Sequence, residues 1–145
     1  MGTWQISLQE EVTRGIFQIM AGVPIYLIFG SDEYLVSEKA KEIVEGLVPP
    51  AERALGLEII DGQAPTIEEA VQTIGRCLEA LQTIGFFGSR KVVWLRDASF
   101  LSDTPAGKSE QVKDRVANLT KAISQGLQGD NVLVVTAPQV DKRYA

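Results

Sequence analysis

Ile25-Tyr26-Leu27-Ile28-Phe29-Gly30-Ser31-Asp32-Glu33 decides the fold, because an unbroken apolar run stops at a glycine and turns at once into a helix start. A strand covered on both faces has no polar side to show, so it reads as a near-continuous apolar run rather than as an alternation. Ser31 and Asp32 are residue types that accept the orphan N–H groups of a first helical turn. Beyond them Val36, Ala40, Ile43 and Leu47 recur at spacings of four and three, which predicts a helix burying one face. Pro49-Pro50 ends it, since proline offers no N–H to the ladder.

The same strand-then-helix unit repeats down the chain. Leu57-Glu58-Ile59-Ile60 is a second strand, closed by Asp61-Gly62. Thr66 then stands three residues before Glu69, the spacing of a capping box. Ile67, Val71, Ile74, Leu78 and Leu81 keep helical spacing over four turns, until Gly85-Phe86-Phe87-Gly88 interrupts. Val92-Val93-Trp94-Leu95 is the third strand. A polar loop through Asp103, Pro105 and Gly107 leads into a helix marked by Val112, Val116, Leu119 and Ile123, and Val132-Leu133-Val134-Val135 is the last strand. Four apolar strands alternating with three helices predict an α/β fold in three layers around a mostly parallel sheet. Residues 1–23 form a lead-in whose scattered apolar positions, Trp4, Ile6, Leu8, Val12, Ile16 and Phe17, fit an extra helix or a flexible segment equally. Residues 24–145 are the domain. A core strand running out into Asp141-Lys142-Arg143 suggests a fragment of a longer protein.

Composition removes several chemistries. With 145 residues and 45% hydrophobic content the chain can bury one core without staples. It contains no histidine and one cysteine, Cys77. Histidine bases, Ser-His-Asp triads and structural zinc sites are therefore out of reach, as is an internal disulfide. A lone thiol with no basic leader ahead of an apolar stretch suits a reducing cytoplasm. The apolar stretches fall well short of the roughly 18 residues a membrane helix needs. A formal net charge of −5 argues against broad contact with nucleic acid, which depends on Lys and Arg displacing counterions.

Strand-turn-helix order is also the order of phosphate-binding loops. Such a loop needs G-x-x-x-x-G-K-[ST], with backbone N–H groups and a lysine on the phosphates. After the first strand this chain offers one glycine, Gly30, no lysine, and the two carboxylates of Asp32 and Glu33 where phosphate charge would sit. Like charges repel there. Gly107-Lys108-Ser109 is a weaker candidate, because the position five before Gly107 is Ser102 and Pro105 lies between; a solvated loop capped onto the next helix by Ser109 explains it. Leu95 is followed by Arg96-Asp97-Ala98 instead of the paired acids that hold Mg²⁺. The loop is degenerate, and the expectation is no catalytic residue, no cofactor and no metal.

Phe86 and Phe87, between two glycines, admit two placements. Both rings can plug the core, where burial of a Phe is worth roughly 1.5–3 kcal/mol. Alternatively the glycines make a tight turn that projects at least one ring outward as an interface anchor. Trp94 and Phe100 read as core or as packing for a further part of the chain. Arg90 and Lys91 read as a solvated pair, the favoured placement, or as a contact to an acidic surface on a partner, and Arg143 as part of an exposed charge cluster.

Taken together, Pro24-Ile25-Tyr26-Leu27-Ile28-Phe29-Gly30-Ser31-Asp32-Glu33-Tyr34-Leu35, the Phe86-Phe87-Gly88-Ser89-Arg90-Lys91-Val92-Val93 run and the closing strand with Asp141-Lys142-Arg143 resemble the bacterial DNA polymerase III delta subunit over about residues 24–143. The resemblance implies a RecA-like, AAA+-type domain without an ATP site. It implies a clamp-loader subunit that binds the beta sliding clamp and holds one interface open during DNA replication, with other clamp-loader subunits as partners and DNA met only indirectly. In that family a hydrophobic pair, typically Leu-Phe, enters a pocket on the clamp; by position the pair here is Phe86-Phe87, a larger side chain replacing Leu at the first place. Two other classes stay open on the residues alone: a nucleotide- or phosphate-binding domain of P-loop or flavodoxin type, and a scaffold that makes no clamp contact.

Overall fold

Ile25–Gly30 forms a strand, β3, in the computed structural model, which describes residues 5–7, 17–22, 25–82, 91–101, 105–125 and 131–138. Two short strands precede it, β1 (Gln5–Ser7) and β2 (Phe17–Gly22). Three more follow: β4 (Leu57–Asp61), β5 (Val92–Arg96) and β6 (Val132–Ala137). They make one six-stranded sheet in the order β1-β2-β3-β6-β5-β4. The four strands β3, β6, β5 and β4 are mutually parallel, and β2 and β1 add antiparallel to the β3 side. The described parts of the lead-in are thus strands, not the helix considered for residues 1–23. The reason lies in β3: without β2 beside it, one row of its backbone N–H and C=O groups would lack a ladder. Register from Phe17↔Gly30 to Gly22↔Ile25 pairs it along its whole length.

The helices divide between the faces. α1 (Glu33–Leu47) lies alone on one side, burying Val36, Ala40 and Val44 against Ile28, Trp94, Val132 and Val134. A short 3-10 turn, Pro50–Glu52, and a one-turn helix, α2 (Arg53–Gly56), follow it into β4. α3 (Ile67–Leu81) and α5 (Glu110–Ser124) cover the other face, with a one-turn helix, α4 (Pro105–Lys108), leading into α5. From β3 the chain crosses over α1 to the far edge at β4, then steps back through α3 and α5 to β5 and β6. Each parallel step in one direction uses one face and each return step uses the other, as right-handed crossovers require. The expected three-layer α/β architecture is what the chain adopts.

Capping matched expectation, and the buried stripes were slightly rotated. The Thr66–Glu69 capping box is complete, with Glu69 N–H donating to Thr66 Oγ1 at 3.1 Å and Thr66 N–H donating to Glu69 Oε2 at 3.4 Å. Ser109 caps α5 by accepting from Val112 N–H. The preceding Pro105–Lys108 is a helical turn with Ala106 and Gly107 buried, so only part of the polar loop expected there is solvated. On α3 the sheet-facing residues are the small ones, Ala70, Thr73, Cys77 and Ala80, together with Ile74 and Leu81, while Ile67 is 41% exposed. Small side chains let the helix sit close to the sheet, and Val71 and Leu78 pack at its flank. Trp94 and Phe100 are both core.

Burial beneath α3 pushes the Cys77 thiol from its ordinary 9.0 up to about 12, with nearby Arg76 opposing the rise and Glu58 adding to it. Below about pH 9 the thiol keeps its proton whether folded or unfolded, so stability is unaffected. Between about 9 and 12 the unfolded chain loses that proton and the folded chain does not, so stability falls as pH rises. Native protein is expected to resist an aromatic disulfide reagent at mildly alkaline pH and to react at one thiol per chain in concentrated urea. Rapid labelling of the native chain would show the site to be open. Cys77→Ala should flatten the alkaline loss of stability.

Candidate functional site

The two ends of the parallel strands carry different features. At the C-terminal end of β3 the chain turns through Gly30 and Ser31 into α1. Asp32 is its N-cap, in extended backbone conformation, and its carboxylate accepts the Leu35 N–H at 3.1 Å. A phosphate-binding loop keeps such N–H groups free for an anion from outside. Here the chain's own carboxylate takes that place, and Glu33 adds a second negative charge in the same turn.

A cleft of about 260 Å³ opens beside this turn, lined by Gly30, Glu33 and Ser37 on one side and by Gln63, Arg96 and Asp97 on the other, with Thr136 at its base. It lies where the crossovers from β3 and from β5 leave toward opposite faces, the usual ligand crevice of such sheets. Its floor is tied by hydrogen bonds within the protein. Thr136, 4% exposed on β6, accepts on Oγ1 from Trp94 Nε1 at 3.2 Å and from Asp97 N–H at 3.1 Å. Thr136 C=O accepts from Ala98 N–H at 2.8 Å. These bonds hold Asp97 in the left-handed region, φ 58°, and its carboxylate accepts from the Gln63 side-chain amide. Gly62 N–H donates to Arg96 C=O at 2.7 Å, an approach so close that a Cβ on Gly62 would sit 2.8 Å from Ala98 Cα. Asp97 therefore serves a loop-to-loop brace. Among the described residues no three carboxylates or thiols converge closely enough to hold a metal ion.

The N-terminal end of the strands is built around Asn131, just ahead of β6 and 2% exposed. Its Nδ2 donates to Leu81 C=O, at the end of α3, at 2.9 Å, and its Oδ1 accepts from Lys91 N–H, at the start of β5, at 3.1 Å. Val132 N–H donates to Lys91 C=O at 2.9 Å. One side chain thus joins the last residue of α3 to the residue preceding β5. Phe86 and Phe87 fall between those two anchors in sequence and lie outside the described residues, as do Arg90 and Arg143. Lys91 differs from the solvated residue expected: its side chain is 12% exposed and its Nζ lies 3.0 Å from Glu58 Oε1 on β4. The strand pairing accounts for this, since the Leu57↔Val92 and Glu58↔Val93 register sets Glu58, second in β4, near Lys91, the residue just before β5. Asn131 escaped the sequence reading, because an Asn after Gly129-Asp130 has the form of any turn residue and its partners lie 40 and 50 residues away. The Thr136–Asp97–Gln63 brace escaped it for the same reason.

The family model for DNA polymerase III, delta subunit, matches residues 26–145. The chain belongs to that family, whose members are clamp-loader subunits of the polymerase III complex. Among solved structures, the Bacillus subtilis DNA clamp loader delta protein (YqeN) shares the fold, with a TM-score of 0.57 and 23% identity over 83% of this chain. The chain spans 33% of that protein's length. No curated protein matches. Among the described residues no helix is long and apolar enough to cross a membrane.

Thr136→Val keeps the shape of the brace and removes its acceptor. Two donors, Trp94 Nε1 and Asp97 N–H, lose their partner, and each orphaned buried donor costs about 1–3 kcal/mol. The expected loss is about 2–4 kcal/mol in urea unfolding. An unchanged unfolding midpoint would show that water replaces the hydroxyl.

Proposed function

We propose that this chain is the clamp-gripping domain of a delta subunit, acting without nucleotide hydrolysis of its own. It binds the beta sliding clamp and holds one ring interface open for loading onto DNA. The observation that carries the reading is the family match over residues 26–145. The self-capped turn supports the second half: with Asp32 bonded to Leu35 N–H and Glu33 beside it, the position of a phosphate is already filled by negative charge. The partners are the clamp and the other clamp-loader subunits, in the cytoplasm, and DNA is met through them. Residues 24–145 are the working unit, and the lead-in extends its sheet.

Phe86 and Phe87 are the proposed clamp contact. Burying two Phe rings yields on the order of 3–6 kcal/mol before the costs of association. Opening follows from differential binding: a protein that holds the open interface more tightly than the closed one shifts the ring toward open by that difference. A preference of about 5.5 kcal/mol would carry a two-state ring from mostly closed to mostly open. The residues of the cleft, Glu33, Arg96 and Asp97, have no chemical step in this scheme. Control of timing falls to neighbouring subunits that bind nucleotide.

Phe86→Ala combined with Phe87→Ala should lower clamp affinity by at least a hundredfold in surface plasmon resonance, with the circular dichroism spectrum unchanged. Normal binding by the double variant would remove the pair from the contact. Titration calorimetry with ATP and Mg²⁺ should give no heat of binding in the micromolar range. Micromolar affinity would favour a nucleotide-binding role for the cleft beside Gly30.

A further inference from the structure

We propose that Asn131 is a positioning residue for clamp binding, holding both stems of the segment that carries Phe86 and Phe87 at a fixed separation; the inference rests on the assignment of that pair. Asn131 has the chemistry for this task. Leu81 C=O is one of the last-turn carbonyls that a helix leaves without an intrahelical partner, and Lys91 N–H lies just outside the strand ladder. One group needs a donor and the other an acceptor. A carboxamide supplies both from one planar group, and the two partners fix which end is oxygen and which is nitrogen. Leu, Val or Ala at this 2%-exposed position would fill space and leave both backbone groups unserved. Asp would serve only Lys91 N–H.

The consequence for binding is pre-organisation. Residues 82–90 link the two groups that Asn131 joins. The strand register and the Lys91–Glu58 ion pair hold the Lys91 side of that link to the sheet. On the Leu81 side, Asn131 ties the end of the helix directly to the start of β6. Releasing this tie leaves α3 in place, since its buried residues run from Ala70 to Leu81, and frees the Leu81 carbonyl rather than the helix. The stems would then sample a range of separations, and the entropy of restoring the bound one would fall on association. Asn131 itself need not touch the clamp.

Clamp affinity measured by surface plasmon resonance on Asn131→Ala and Asn131→Asp, with and without the Phe86→Ala/Phe87→Ala change, tests this. Asn131→Ala should bind at least about tenfold more weakly, Asn131→Asp less so, with thermal melting still cooperative. Hydrogen exchange at the Lys91 amide should accelerate in Asn131→Ala and stay slow in Asn131→Asp. On the double-Phe background neither change should weaken binding further, because the residue acts through the pair. An equal fractional loss on both backgrounds would overturn the inference, as would wild-type affinity in Asn131→Ala. So would loss of cooperative melting in both variants, since Asn131 would then hold the domain rather than the segment. Normal binding by the double-Phe variant alone would overturn the assignment of the pair, and this inference with it.

Discussion

β6 is buried at all six of its positions, between β3 and β5 and beneath helices on both faces. A strand so enclosed can take only apolar side chains along its length, and Val132-Leu133-Val134-Val135 meets that constraint. Polar chemistry on it is confined to its ends. Thr136 stands at one end, Asn131 just beyond the other, and each satisfies buried backbone groups belonging to other elements. The loops after β4 and β5 are braced through the first, and the stems of segment 82–90 through the second. The core strand thus fixes the geometry of both edges of the sheet, one side chain at each.

The C-terminal edge has the form of a ligand crevice and carries negative charge where a phosphate site would carry positive. A phosphate loop works because a helix N-terminus presents unpaired N–H groups and partial positive charge. α1 has that terminus, in the expected place after the first parallel strand. Asp32 caps it, and the following Glu33 adds a second carboxylate to the same turn. Across the cleft, Asp97 stands near where a metal-binding acid would be expected. It is turned into the left-handed region and bonded to Gln63. Both arrangements complete the loops with hydrogen bonds from within the chain. In the proposed role this is an advantage, because a grip that needed nucleotide to form would respond to nucleotide directly.

The three-layer fold was legible in the sequence because its signals are local. Apolar runs closed by Gly30 and Gly62, caps at Asp32, Thr66 and Ser109, and helical spacing between them each depend on neighbours within a few residues. What the sequence left undecided depends on long-range pairing. Residues 1–23 have no clear period, and the strands among them exist because β3 needs a partner on its open side. Lys91 looked like half of a solvated pair until parallel register placed Glu58 next to it. The rotation of the α3 stripe toward Ala70, Cys77 and Ala80 follows from how closely that helix approaches the sheet, a quantity that spacing alone does not carry.

In the proposed role the mechanical demand on the domain is high, and it explains the separation of the two edges. The work available to open a ring is limited to the difference in affinity for its two forms, so each kilocalorie spent ordering the contact segment is lost to opening. Rigid stems conserve that difference. Stems anchored at the N-terminal edge, on a helix end and two strand starts, draw rigidity from the most buried part of the molecule. On β6 itself no polar side chain stands between Asn131 and Thr136, so the crevice at the opposite edge shares none of that strand's polar supports with them. A contact built instead on the loops around Asp97 would share its supports with the crevice, so any change in the crevice would alter the grip as well.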